Sequence, residues 1–167
     1  MIATCINWNA QGASMLAVGT RAPEFTLPDQ DGRDISLTTL LHSGALILYF
    51  YPADFTPGCT KEACIARDAY AEIREAGLNI AGISPSPVGK HRDFRAKYKL
   101  PFTLLCDADK SVIRMYEVNG PLGFGVRRVT YLIDPARNIR DAIQADFRIG
   151  AHEDFIRRSL MLSSGSR

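Results

Sequence analysis

Three observations predict an α/β fold, a three-layer sandwich with a mixed sheet between two sets of helices. Apolar strand patterns alternate with amphipathic helical ones through most of the chain. Ala45-Leu-Ile-Leu-Tyr-Phe-Tyr51 is an unbroken apolar run, too short for a free-standing helix and suited to a strand buried on both faces. Near the C-terminus a hairpin signal and one closing helix replace the alternation.

Residues 1–14 carry small polar side chains without periodicity and read as a loose extension. The domain is expected to cover residues 15–162. Residues 24–27 and 33–36, around the turn Asp29-Gln-Asp-Gly32, make a short hairpin, and Ser36 caps a brief helix to Leu41. After the central strand, Thr56 occupies an N-cap position, with Pro57 where a missing N–H costs nothing. That helix is expected to reach about Ala76, with Gly77 as its stop. Residues 78–83 form the next strand, and Ser86 and Pro87 open a helix to about Lys99. A strand over 102–105 and a short helix over 110–116, capped by Asp109, follow. The glycines of 120–125 neither follow a strand nor lead into Gly-Lys-Ser/Thr, which argues against phosphate binding. Residues 127–133 and 139–143 form the late hairpin. A final helix covers 152–162, and 163–167 are expected to fray.

A chain of 167 residues, 46% of them hydrophobic, makes one domain with an ordinary core. The formal net charge is +2, and lysines and arginines are interspersed with acids, so neither nucleic acid nor a membrane surface is expected as a partner. No apolar run approaches the length that spans a bilayer. Residues 1–19 lack the charged and apolar regions of a signal peptide, so a cytoplasmic location is expected. There, cysteines stay reduced unless they do redox or metal chemistry. Cys5, Cys59, Cys64 and Cys106 form no C-x-x-C, and His42, His91 and His152 form no ligand pair, so no metal or cofactor is expected. The histidines read as surface or packing residues, Cys106 as a buried thiol ending a strand, and Cys5 as incidental.

Cys59 falls in the first turn of its helix, among amides without intrahelical partners, where the helix dipole favours a negative sulfur. It shares an apolar face with Ala63, Ala66, Tyr70 and Ile73, whereas Cys64 aligns with Asp68, Ala71 and Glu75 toward solvent. Five residues of ideal helix put the Cα atoms of Cys59 and Cys64 roughly 8.7 Å apart. A disulfide wants less than about 7 Å. Either the two thiols are unrelated, or the opening turns of the helix unwind for them to meet.

Pro52, Thr56 and Cys59, in the pattern P-x-x-x-T-x-x-C, followed by Thr60, Glu62 and Cys64, resemble the peroxiredoxins. The cysteine spacing is similar to that of the peroxiredoxin Q (bacterioferritin comigratory protein) branch, and the similarity runs from about Val18 to Leu162. The resemblance implies a thioredoxin-like fold and a thiol-dependent peroxidase. In it Cys59 would attack hydrogen peroxide or an alkyl hydroperoxide and become a sulfenic acid. Cys64 would resolve this as an intramolecular disulfide, and thioredoxin or a similar dithiol would reduce it. Ionisation multiplies the reactive thiolate at pH 7 by roughly thirty at most, so most of the rate must come from donors aimed at the peroxide oxygens. The family pattern implies which donors these are. Thr56 would hydrogen-bond the peroxide, and Arg128, rather than Arg127, would hold thiolate and oxygens. Glu62 would orient Arg128, Pro52 would exclude water, and Gly58 would shape the turn. Val129 departs from the small hydroxyl residue usual there. The branch also implies a monomer. A one-cysteine peroxidase recycled by a small thiol, with Cys64 a bystander, stays open, as does a redox sensor or holdase without turnover.

Overall fold

Strand β3 (Leu46–Phe50) grows from the apolar run and lies in the middle of a five-stranded sheet, every one of its residues buried. The computed structural model describes residues 15–164. Before β3 come the hairpin strands β1 (Thr26–Pro28) and β2 (Asp34–Ser36) and helix α1 (Leu37–Leu41). After it come α2 (Pro57–Asp68), α3 (Tyr70–Glu75), β4 (Asn79–Ser84), α4 (Val88–Tyr98), β5 (Thr103–Cys106) and α5 (Ser111–Met115). The chain closes with β6 (Val129–Ile133), β7 (Ile139–Gln144) and α6 (Ile149–Ser164). The sheet order is β5-β4-β3-β6-β7. β3 is parallel to β4 and β4 to β5, whereas β6 runs antiparallel to both β3 and β7.

Because side chains alternate along a strand, β3 feeds two separate cores. Leu46, Leu48 and Phe50 pack toward α1, α5 and the β1–β2 hairpin. Ile47, Tyr49 and the following Tyr51 pack toward α2, α3, α4 and α6. Helices on both faces of a mixed sheet make the expected three layers. Each Leu, Ile or Phe buried this way contributes about 1.5–3 kcal/mol. Gly82 on β4 is what lets Tyr49 lie across the sheet: a Cβ there would meet the Tyr49 ring carbon Cζ at 2.6 Å.

Several boundaries differ from expectation. The helix foreseen from Pro57 to Ala76 breaks at Ala69, whose amide is shared between the carbonyls of Ile65 and Arg67. The shared bond tightens one turn, and α3 restarts with Ile73 still delivered to the core. α6 begins at Ile149, three residues before the expected start, and continues through Ser164. The Ser163 hydroxyl donates to the carbonyl of Ala76 at 2.6 Å, which fastens a stretch expected to fray. Ser36 caps α1 through its hydroxyl, which accepts from the Thr39 amide at 3.0 Å. Thr56 has N-cap backbone geometry, but its hydroxyl makes no cap; it turns back and donates to the carbonyl of Ala53 at 3.2 Å. At the other end of the domain, the amide of Leu16 donates to the Tyr131 hydroxyl at 3.1 Å. The extension expected over 1–14, with Cys5, and residues 165–167 lie outside the described residues.

Candidate active site

The β3–α2 loop starts where Pro52 ends the strand, and α2 opens at Pro57, the N1 position at which proline fits. With proline at N1 and the first helical bond running from the Thr60 amide to the Thr56 carbonyl, the amides of Gly58 and Cys59 are left outside the helix ladder. Cys59 is buried on the sheet side with Ala63 and Ala66, and Cys64 is half-exposed. α2 is intact from Pro57 to Asp68, so ideal geometry holds the two Cα atoms roughly 8.7 Å apart, and both thiols are free.

Arg128, just before β6, crosses the sheet edge to reach Cys59. Its Nη2 donates to the Cys59 Sγ at 3.1 Å and its Nη1 to Oε2 of Glu62 at 2.8 Å. All three residues are buried. The Arg128 backbone is clamped as well: its amide donates to Asp146 Oδ1 at 2.8 Å, and its carbonyl accepts from the Ala145 amide. Arg127 turns away instead, donating to the carbonyl of Asn119. Burial works against the Arg128 charge, but the negative ends of Cys59 and Glu62 outweigh it and raise its affinity for a proton. Burial pushes the Glu62 carboxyl up, opposed by the positive charges of His152 and Arg128.

Pro52, Gly58 and Arg128 line an open cavity of about 680 Å³, rimmed by Pro121, Phe124, Phe147 and Ile149. Phe124 and Phe147 are 78% and 98% exposed, so one side of the mouth is apolar, with Arg127 and Asp146 on the lining as well, and the floor is a guanidinium beside a sulfur. Gly58 is needed for that floor. A Cβ there would stand 2.8 Å from Arg128 Nη2. Gly58→Ala, at a helical position that tolerates alanine, is expected to leave the melting temperature nearly unchanged. It should slow the reaction of the Cys59 sulfur with the hydroperoxide that the resemblance implies by up to about a hundredfold, the cost of roughly an ångström of misplacement. Stopped-flow rates beside thermal melts check this; equal rates would show that Arg128 need not stand where it does.

Two polar clusters escaped the sequence reading. Asp54 in the β3–α2 loop accepts from the Tyr51 hydroxyl at 2.6 Å and lies 2.7 Å from His91 Nδ1 on α4. His91 Nε2 donates to the carbonyl of Leu105, and the Asp54 amide donates to the Ser86 hydroxyl. Both ring nitrogens of His91 face acceptors, so the ring fastens the Asp54 carboxylate to the Leu105 carbonyl. This cluster ties the loop that carries Thr56, just ahead of α2 and Cys59, to the body of the sheet. The second cluster sets His152 of α6 behind Glu62. Of the two readings, surface or packing, both histidines take the second: they are buried and bonded. No periodicity could have found them, because their partners lie many residues away on other elements. Cys106 is buried at the end of β5, and burial pushes its thiol up.

A family model described as AhpC/TSA matches residues 18–142. A Coxiella burnetii protein named as a bcp peroxiredoxin is 42% identical over 143 residues, 82% of this chain and 93% of that protein. The crystal structure of peroxidoxin BcpB from Mycobacterium tuberculosis superposes with a TM-score of 0.81 at 38% identity, covering 90% of this chain and 97% of that one. The Xanthomonas campestris bacterioferritin comigratory protein, described through trapped intermediate and ligand complexes bearing on its alkyl peroxide reduction, gives 0.76 at 28% identity. It covers 83% of this chain and 90% of its own. The mixed sheet between two helical layers is the thioredoxin-like arrangement of these neighbours. The chain therefore belongs to the AhpC/TSA family, among the peroxiredoxin Q and bacterioferritin comigratory proteins, and is a thiol-dependent peroxidase.

Proposed function

We propose that Cys59 is the peroxidatic cysteine, that Cys64 resolves it within the same chain, and that a thioredoxin-type dithiol returns the pair to the reduced state. The Arg128 Nη2 to Cys59 Sγ contact of 3.1 Å carries this reading. The guanidinium stands against the sulfur and has further N–H donors for oxygens that approach from the cavity. The thiolate takes the distal oxygen of the hydroperoxide. An S–O bond forms, the O–O bond breaks, and the leaving oxygen picks up a proton to depart as water or alcohol. The Thr56 hydroxyl donates to Ala53, which leaves its lone pairs able to accept the proton of the incoming hydroperoxide. Pro52 and the apolar rim shed water from this step and suit an alkyl group at the mouth.

Resolution needs movement. With α2 intact the second thiol is out of reach, so the first turns unwind before Cys64 sulfur attacks the sulfenic sulfur and water leaves. Both cysteines sit on one helix, so the cycle needs no second subunit, which supports a monomer. A cytoplasmic setting supplies dithiol reductants for it.

Cys64→Ser is expected to leave the first oxidation rate within about twofold, since the residue touches neither Arg128 nor the cavity. Recycling by thioredoxin should fall to background. Stopped-flow oxidation followed by disulfide mapping after one equivalent of peroxide tests the scheme. Sustained thioredoxin-driven turnover in that variant would hand resolution to another thiol.

A further inference from the structure

Arg128 accounts for only one oxygen of Glu62. The other, Oε1, is buried and has no hydrogen-bond partner among the described residues. The group that faces it is the His152 ring, with Nδ1 at 3.6 Å. His152 is itself fixed on two sides: Nε2 lies 3.1 Å from the carbonyl of Ala145, and Nδ1 lies 2.8 Å from the Thr130 hydroxyl. A carbonyl only accepts, so Nε2 carries a proton. Glu62, His152, Thr130 and Tyr49 line one cavity of about 10 Å³, at the lower limit for a single water. Bulk solvent therefore cannot screen the charges around it. The titratable and charged groups of this chamber and its front wall are Glu62 and Cys59 from α2, Arg128 at the edge of β6 and Tyr49 from β3.

The charges within this cluster do not balance without the histidine. With Cys59 as thiolate, the buried set holds two anions, Cys59 and Glu62, against the single guanidinium. A buried net charge is costly, and the least expensive escape is a proton on Glu62. That proton would turn the carboxylate that anchors Arg128 into a weaker, neutral acceptor. We propose that His152 is a positioning residue for the peroxide site: as the imidazolium it backs the free oxygen of Glu62, keeps that carboxylate anionic, and so holds Arg128 on Cys59. The thiolate–guanidinium–carboxylate–imidazolium row is then neutral overall, with like charges kept apart.

The inference rests on Cys59 reacting with peroxide, and two substitutions test it separately from that reading. Asn places its amide nitrogen near the position of Nδ1, toward Glu62, whereas Gln places it near Nε2, toward Ala145. His152→Gln should preserve the fold, through the Ala145 contact, but slow Cys59 oxidation about tenfold, the size of one lost charge-assisted contact. His152→Asn should melt earlier and yet keep a faster oxidation rate than His152→Gln. In the Glu62→Gln background either substitution should add less than about twofold, because the route through the carboxylate is already cut. Stopped-flow oxidation by hydrogen peroxide and thermal melts of the full chain give both readouts. A His152→Gln rate equal to the unsubstituted rate would overturn the proposal. So would a reversed order of the two variants, or effects that multiply with Glu62→Gln. If the unsubstituted chain itself ignored peroxide, the Cys59 assignment would fail instead.

Discussion

Cys59→Ser protein is expected to consume hydroperoxide no faster than the uncatalysed background, a loss of at least about a thousandfold. A serine hydroxyl is scarcely ionised near neutral pH and has no counterpart to the sulfenic acid on which the cycle depends. The substitution is nearly isosteric at a position packed by Ala63 and Ala66, so the fold should survive. What changes in the site is that Arg128 loses the sulfur and keeps Glu62. Cys106→Ser serves as comparison: that thiol is buried at the end of β5, away from the cavity, and its removal should leave the rate in place. Continuous peroxide assays with a thioredoxin system, beside stopped-flow single turnovers, measure both. Substantial turnover by Cys59→Ser would move the chemistry to another sulfur.

Asp54→Ala is expected to cost about 3–5 kcal/mol, because it breaks a fully buried pair and leaves the His91 ring nitrogen without its carboxylate. It also strips the Tyr51 hydroxyl of its acceptor. Against a total stability of about 5–15 kcal/mol that is a large fraction, equivalent to a drop of roughly 10 °C in melting temperature. Activity should fall further than stability at temperatures where the variant is folded, since the loop carrying Thr56 then loses its tie to α4. Tyr51→Phe removes one hydrogen bond from the same cluster and should cost only about 1–2 kcal/mol. Urea melts of the two variants, read against peroxide rates, check the ranking. A cost below about 1 kcal/mol for Asp54→Ala would show the pair to be neutral and dispensable.

Some of this architecture could be read from the chain alone. The central strand announced itself because seven apolar residues in a row leave no amphipathic alternative, and Thr56-Pro57 marked the start of α2 because proline tolerates few other helical positions. The arginine beside Cys59 was legible through a pattern, and the geometry brings Arg128 there while Arg127 faces Asn119. What stayed hidden depended on partners remote in sequence. Asp54 and His91 are 37 residues apart and His152 lies on the last helix, so each looked like an isolated polar residue. The break at Ala69 follows from a shared amide and α6 starts three residues early, and local propensity encodes neither.

The underside of α2 has one more consequence. Below its first two turns it offers the sheet mainly a thiol and the methyl group of Ala63, with Ala66 a little further on; leucines there would roughly double or triple the apolar grip, at about 0.8 kcal/mol per methylene. What secures this end of the coil is mostly ionic, the Glu62–Arg128 pair and the sulfur's own attraction to the same guanidinium. In the proposed cycle, oxidation turns that sulfur into a neutral sulfenic acid and so weakens one of these two contacts. In that scheme, consuming the peroxide also loosens the segment, so that the Cys64 thiol can reach the sulfenic acid at Cys59.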